Sequence, residues 1–203
     1  VRATTLLSVV VLAGLTGAIL FADPVRTSET VALAVLMSLI ADEDRKRFRV
    51  PDWANGTAAL VGLIVVIEAS ITEGQSVPTA MLAALISAIA CGASLLAIRE
   101  YFFHVKGVDG LGLGDVKLGA TAGIWLGWEM FCYAIMLAAI ACLGVVAMSL
   151  VRRRGWPRHR RIPFALALAP SIWLCWILSQ TARSSRPDIW PSIPITKVVD
   201  WVA

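Results

Sequence analysis

Apolar residues fill long blocks of this chain, and short polar stretches separate them. About 20 apolar residues carry a helix across the hydrocarbon core of a bilayer, and shorter runs can cross when bundled or where the bilayer thins. The blocks predict spans from Ala3 to Phe21, Glu29 to Ile40, Trp53 to Ile71, Thr79 to Phe103, Val116 to Leu126, Trp128 to Val151 and Ile162 to Ser179. The second and fifth are short. One continuous helix from Val116 to Val151 would be about 50 Å long at 1.5 Å per residue, so Gly127 is read as a tight turn between two spans. The expected fold is an all-α, polytopic transmembrane helix bundle of about six or seven spans.

Residues 1–180 form the membrane domain in this reading, and residues 181–203 a polar C-terminal tail. The tail is too polar to span, and its Trp190 and Trp201 suit the headgroup zone. No small-x-small cleavage site follows the first block, which is therefore read as a retained helix and not as a signal peptide. Composition agrees with a membrane protein: of 203 residues, 58% are hydrophobic and 16% charged, with a mean hydropathy of +0.77, and soluble domains seldom reach such values. The formal charge of +4 reports orientation and lipid contact, because nucleic-acid binding would need a basic patch on a soluble surface. Cys91, Cys132, Cys142 and Cys175 lie inside apolar blocks without C-x-x-C pairing and read as packing residues.

Lysine and arginine gather in three loops: Arg45, Lys46, Arg47 and Arg49 after the second span, Lys106 after the fourth, and the arginines from Arg152 to Arg161 after the sixth. Alternate crossings put all three on one side, which the positive-inside rule makes cytoplasmic. The loops "ADPVRTSE" and "TEGQSVP" on the other side carry one arginine between them. The short fifth span must cross for this pattern to hold. The arginine cluster is a topogenic signal that also suits anionic lipids.

Two acidic stretches converge on the basic face: "ADEDRKRFRVPDW", between the second and third spans, and "GLGLGDVKL", at the start of the fifth. An ionisable group at the edge of a membrane is expensive and marks a candidate functional site. A bundle can bring Asp44 and Asp115 together from different helices. Two carboxyls at hydrogen-bonding distance cannot both ionise cheaply, so one keeps its proton while the other stays charged, the division of labour used in aspartic proteolysis. The charged partner takes a proton from the attacking water and the protonated one donates to the peptide carbonyl, so neither metal nor cofactor is called for. Gly112 and Gly114 give the backbone before Asp115 access to positive φ and to close approach by a substrate strand.

Gly112, Gly114, Asp115, Lys117 and Leu118 resemble the G-x-G-D-x-K-L signature of type IV prepilin peptidases, bacterial GxGD aspartic proteases. Asp44, followed by a basic run and by Val50, Pro51, Asp52 and Trp53, is similar to the stretch carrying that family's other catalytic aspartate. A third likeness is "RIPFALALA", although Ala165 and Leu166 stand where many members have Gly-Pro. The resemblance implies an intramembrane aspartic endopeptidase of the bacterial inner membrane, with Asp44 and Asp115 as its dyad. Its substrate would be a prepilin or pseudopilin with a short basic leader, cut at the cytoplasmic face. Long family members carry a methyltransferase insert marked by paired C-x-x-C motifs, which this sequence lacks. The resemblance therefore implies a short peptidase-only form, similar to enzymes of tight-adherence (Flp) pili.

The neighbouring polar residues have plainer readings. Asp42 lies roughly 200° from Asp44 around a helix, so both cannot face one partner; it and Glu43 read as solvated charge or as attraction for a basic leader. Asp52 reads as a cap of the third helix. Lys117 cannot pair with Asp115 two residues away, which leaves a snorkelling anchor or a group that positions loop or substrate. His104 with Asp109 and Asp115 is a poor metal signature, and Glu68 and Glu129 fall near the opposite membrane face. Two rivals remain open. Presenilin-like proteases share G-x-G-D but set their first aspartate in an apolar span, and a small transporter or channel would use paired acids to bind protons or cations near mid-membrane.

Overall fold

The computed structural model describes residues 3–21, 23–47, 49–107, 111–151 and 164–185. Among these residues all regular structure is helical: α1 Ala3–Leu20, α2 Pro24–Arg47, α3 Asp52–Thr72, α4 Val77–Lys106, α5 Leu113–Val151 and α6 Phe164–Ser185. Five of them are long and apolar enough to cross a membrane. With outward-facing side chains such as Leu12, Ile19, Ile64, Ile89 and Leu143 exposed, the chain is a multi-pass membrane helical bundle.

Gly127 breaks α5. Its φ of 70° and ψ of 176° are not helical, and glycine reaches that region without a Cβ clash. The Phe131 ring lies 3.4 Å from where a Cβ on Gly119 would stand, whereas 12 residues of straight helix would separate them by about 18 Å. Residues 113–126 and 128–151 are therefore two antiparallel arms, which brings residue 151 back to the end where α5 starts. The tight turn expected at Gly127 is present.

The second span is longer than hydropathy suggested. α2 has 24 residues, because a helix continues through polar sequence whenever its backbone bonds can form; hydropathy marks only the part suited to lipid. Asp42, Glu43 and Asp44 thus belong to its last turns and not to a loop. α6 runs to Ser185, past the expected end at Ser179. Asp109, the arginines from Arg152 to Arg161 and Trp190 and Trp201 lie outside the described residues.

Three close approaches set the frame. α4 lies antiparallel to the first arm of α5, with Gly92 against Ala120 and Gly123 against the Ser87 and Ala88 backbone. α3 runs beside the same arm: Gly62 makes room for Trp125, whose Nε1 donates to the Ala58 carbonyl at 2.9 Å. α2 and α6 are antiparallel, with Trp173 Nε1 donating to the Thr30 carbonyl at 3.1 Å. The shared core includes Leu33, Ile40, Leu118, Phe131, Leu168 and Ile172, all at most 1% exposed.

A Cβ on Gly123 would come within 2.6 Å of the Ser87 carbonyl oxygen and 2.9 Å of Ala88 Cα, and backbone cannot swing aside. Gly123→Ala is expected to destabilise the bundle by about 1–3 kcal/mol through overpacking. Gly144→Ala, where nothing stands within 4 Å, should be neutral. Melting of the two variants in detergent checks this, and an unchanged Gly123→Ala midpoint would contradict the close α4 contact.

Candidate functional site

Asp44 sits in the last turns of α2 and is only 5% exposed. Its neighbours face outward and are held by their own helix: Asp42 pairs with Lys46 and Arg45, and Glu43 with Arg47 at 3.0 Å. Asp44 instead turns inward to the start of α6, where the Leu166 N–H donates to its Oδ2 at 3.0 Å. The first N–H groups of a helix have no partner within it and carry the positive end of its dipole, so a carboxylate there is favoured.

Asp115 occupies the first turn of α5 and is 9% exposed. The Gly112 N–H donates to its Oδ2 at 3.2 Å, while the Asp115 N–H donates to the Gly112 carbonyl at 3.1 Å. This is the acidic half of a capping box, in which an acid three residues into the helix reaches back to the preceding amide. The turn holds the carboxyl in place and aims it across the bundle.

The two carboxyls meet at one cavity of about 330 Å³, which Val50, Asp52, Gly112, Gly114 and Lys117 also line. The Ala165 N–H interacts with both carboxyls, and Asp115 lies close enough to feel the charge of Asp44. Two acids that face one cavity at wet helix ends can hold a single proton between them, one accepting while the other donates.

The glycines act by proximity. Neither Gly112 nor Gly114 is among the glycines with positive φ, which are Gly74, Gly107 and Gly127 among the described residues, so the expected conformational role is corrected. Gly114 is needed because the Val50 segment presses on it: a Cβ there would stand 3.0 Å from Val50 Cβ and 3.2 Å from the Val50 nitrogen. The face expected to receive a substrate strand thus carries the protein's own chain, which draws the end of α2 toward Asp115.

Lys117 does not pair with Asp115. Its Nζ bonds Asp52 Oδ1 at 2.6 Å, tying the starts of α5 and α3. Asp52 makes no side-chain cap; Pro51 is the N-cap of α3, so the expectation of an Asp52 cap is corrected. A second cavity, of about 400 Å³, opens beside the first among Glu43, Arg47, Arg49, Pro51 and Trp53, and Arg49 lines both. His104 is exposed and packs edge-on against Phe103, with 6.0 Å between ring centroids.

The α6 amides were not foreseen as donors. The only signal for them was the proline-led stretch before Phe164, which announces a helix start with free N–H groups; nothing local says which carboxyl they meet.

A family model described as the type IV leader peptidase family matches residues 31–147, more than half of the chain and both aspartates. The chain belongs to this family. Leader peptidase relatives share parts of it. The prepilin leader peptidase/N-methyltransferase of Burkholderia pseudomallei is 43% identical over 67 residues, 32% of this chain and 22% of that protein. Its namesake in Pseudomonas aeruginosa is 37% identical over 97 residues, 46% of this chain and 32% of that protein. The one in Pseudomonas putida is 31% identical over 105 residues, 49% and 36% of the respective chains. The leader peptidase match thus spans between 22% and 36% of these relatives' lengths. No solved structure matches the chain.

Proposed function

We propose that the protein is an aspartic endopeptidase that removes the short basic leader from prepilins or pseudopilins. The observation that carries this is the meeting of two buried carboxyls, Asp44 and Asp115, from separate helices at one cavity. Family membership supports the same reaction class, and the relatives' names supply the prepilin substrate.

The chemistry follows from a pair that carries one proton. A water between the carboxyls gives a proton to the charged aspartate as its oxygen attacks the scissile carbonyl, while the other aspartate donates its proton to the carbonyl oxygen. The tetrahedral species collapses with cleavage of the C–N bond: the proton taken from water passes to the leaving amine, and the hydroxyl that becomes the new carbonyl returns its proton to the second aspartate. The pair titrates as a unit, so the proton belongs to both. The Leu166 amide steadies the Asp44 carboxyl in its orientation toward the partner.

The basic residues Arg45, Lys46, Arg47 and Arg49 flank this end of the bundle, which supports a cytoplasmic active site in the bacterial inner membrane with anionic lipids around it. The four cysteines of this sequence form no C-x-x-C pair. This supports peptidase activity without methyl transfer, in the manner of the Flp-type enzymes.

Co-expression with candidate prepilins tests the proposal, read by a mobility shift and by the mature N-terminus. Leader removal just before the hydrophobic segment is the expected result; intact precursors with every basic-leader prepilin tried would overturn it.

A further inference from the structure

We infer that Asp52 is the subsite for a cationic side chain of the leader, and that Lys117 occupies it in the free enzyme as a stand-in for that cation. The inference rests on the peptidase reading and names where the basic leader is recognised.

Three acids among the described residues line the dyad cavity: Asp44, Asp115 and Asp52. The first two are engaged by backbone amides. Asp52 is held by a side-chain ammonium from another helix, 65 residues away in sequence. The two neighbouring acids of α2 have partners on their own helix and do not line this cavity: Asp42 pairs with Lys46 and Glu43 with Arg47. A leader entering the cavity therefore finds one carboxylate free of catalytic duty, next to the dyad, already shown to fit a primary ammonium at 2.6 Å.

The exchange is easy. The side chains of Lys117 and Asp52 are 54% and 73% exposed, and pairs this open to water contribute little to stability. Replacing one ammonium by another keeps the charge balance, and the released Lys117 points to solvent on a flexible stem. The pair is too exposed to serve chiefly as a clamp.

Two synthetic leader peptides test this with the full chain in nanodiscs, one with its natural lysines and one with norleucine in their place. Asp52→Asn is expected to raise KM for the lysine peptide about tenfold and to leave KM for the norleucine peptide in place; Asp52→Glu keeps the lysine preference. Lys117→Gln removes the competitor and is expected to lower KM for the lysine peptide by up to about fivefold. These opposite signs are the signature. If both variants raise KM alike on both peptides, or if exchanging the two charges (Asp52→Lys with Lys117→Asp) restores wild-type kinetics, the pair is only a tie between α3 and α5 and the inference fails. Cleavage of both peptides with no dependence on Asp52 sinks this inference and leaves the peptidase reading standing. Wild-type protein that cleaves neither peptide overturns both.

Discussion

Asp115→Asn and Asp44→Asn should each lower kcat/KM for leader removal by at least about a thousandfold, the upper range for losing general acid–base catalysis. Asparagine matches aspartate in shape, and its amide oxygen can still accept from the Gly112 or Leu166 N–H, so the bundle should insert and melt as before. The amide cannot take a proton from water or hand one to a carbonyl. Because the carboxyls work as one unit, the double variant should be little worse than either single one. Quantitative cleavage assays check this, with melting as the control for folding. Processing by either variant above about a tenth of the wild-type rate would contradict a dyad.

The second large effect comes from a residue without chemistry of its own. Gly114→Val places a branched side chain where Val50 Cβ, Cγ2 and nitrogen already stand within 3.2 Å of the first added carbon. The Val50 segment must back away, and it connects Asp44 on α2 to the start of α3. A displacement of about 1 Å at a catalytic pair can cost about a hundredfold. The expected result is a loss of that order in kcat with the protein still inserted in the membrane. Val50→Ala in the same chain should restore part of the activity, since it removes Cγ2, one of the three clashing atoms, whereas the clashes with Cβ and the nitrogen persist. Equal activity of Gly114→Val and wild type would show that the α2–α3 connection does not set the geometry of the pair.

Much of this was readable along the chain. The spans follow from the cost of exposing backbone and charge to hydrocarbon, a property of each local window. The turn at Gly127 followed from length alone, because a single helix through that point would overshoot the bilayer. Asp44 and Asp115 stood out because charge at a membrane edge is costly, and their sides agreed once the crossings alternated. The length of α2 was misjudged because hydropathy reports lipid contact, whereas the helix continues wherever its backbone bonds do.

Sequence by itself determined that this is a bundle of membrane helices, which end of it is basic, and which acids share that end, since insertion and orientation act on residues near one another in the chain. Tertiary packing alone decided that the α6 amides hold Asp44, that Val50 fills the face of Gly114, and that Lys117 reaches Asp52. Each of those contacts joins elements from separate parts of the chain. Their partners are selected by how helix faces fit, and no local pattern of hydrophobic and polar residues encodes that fit.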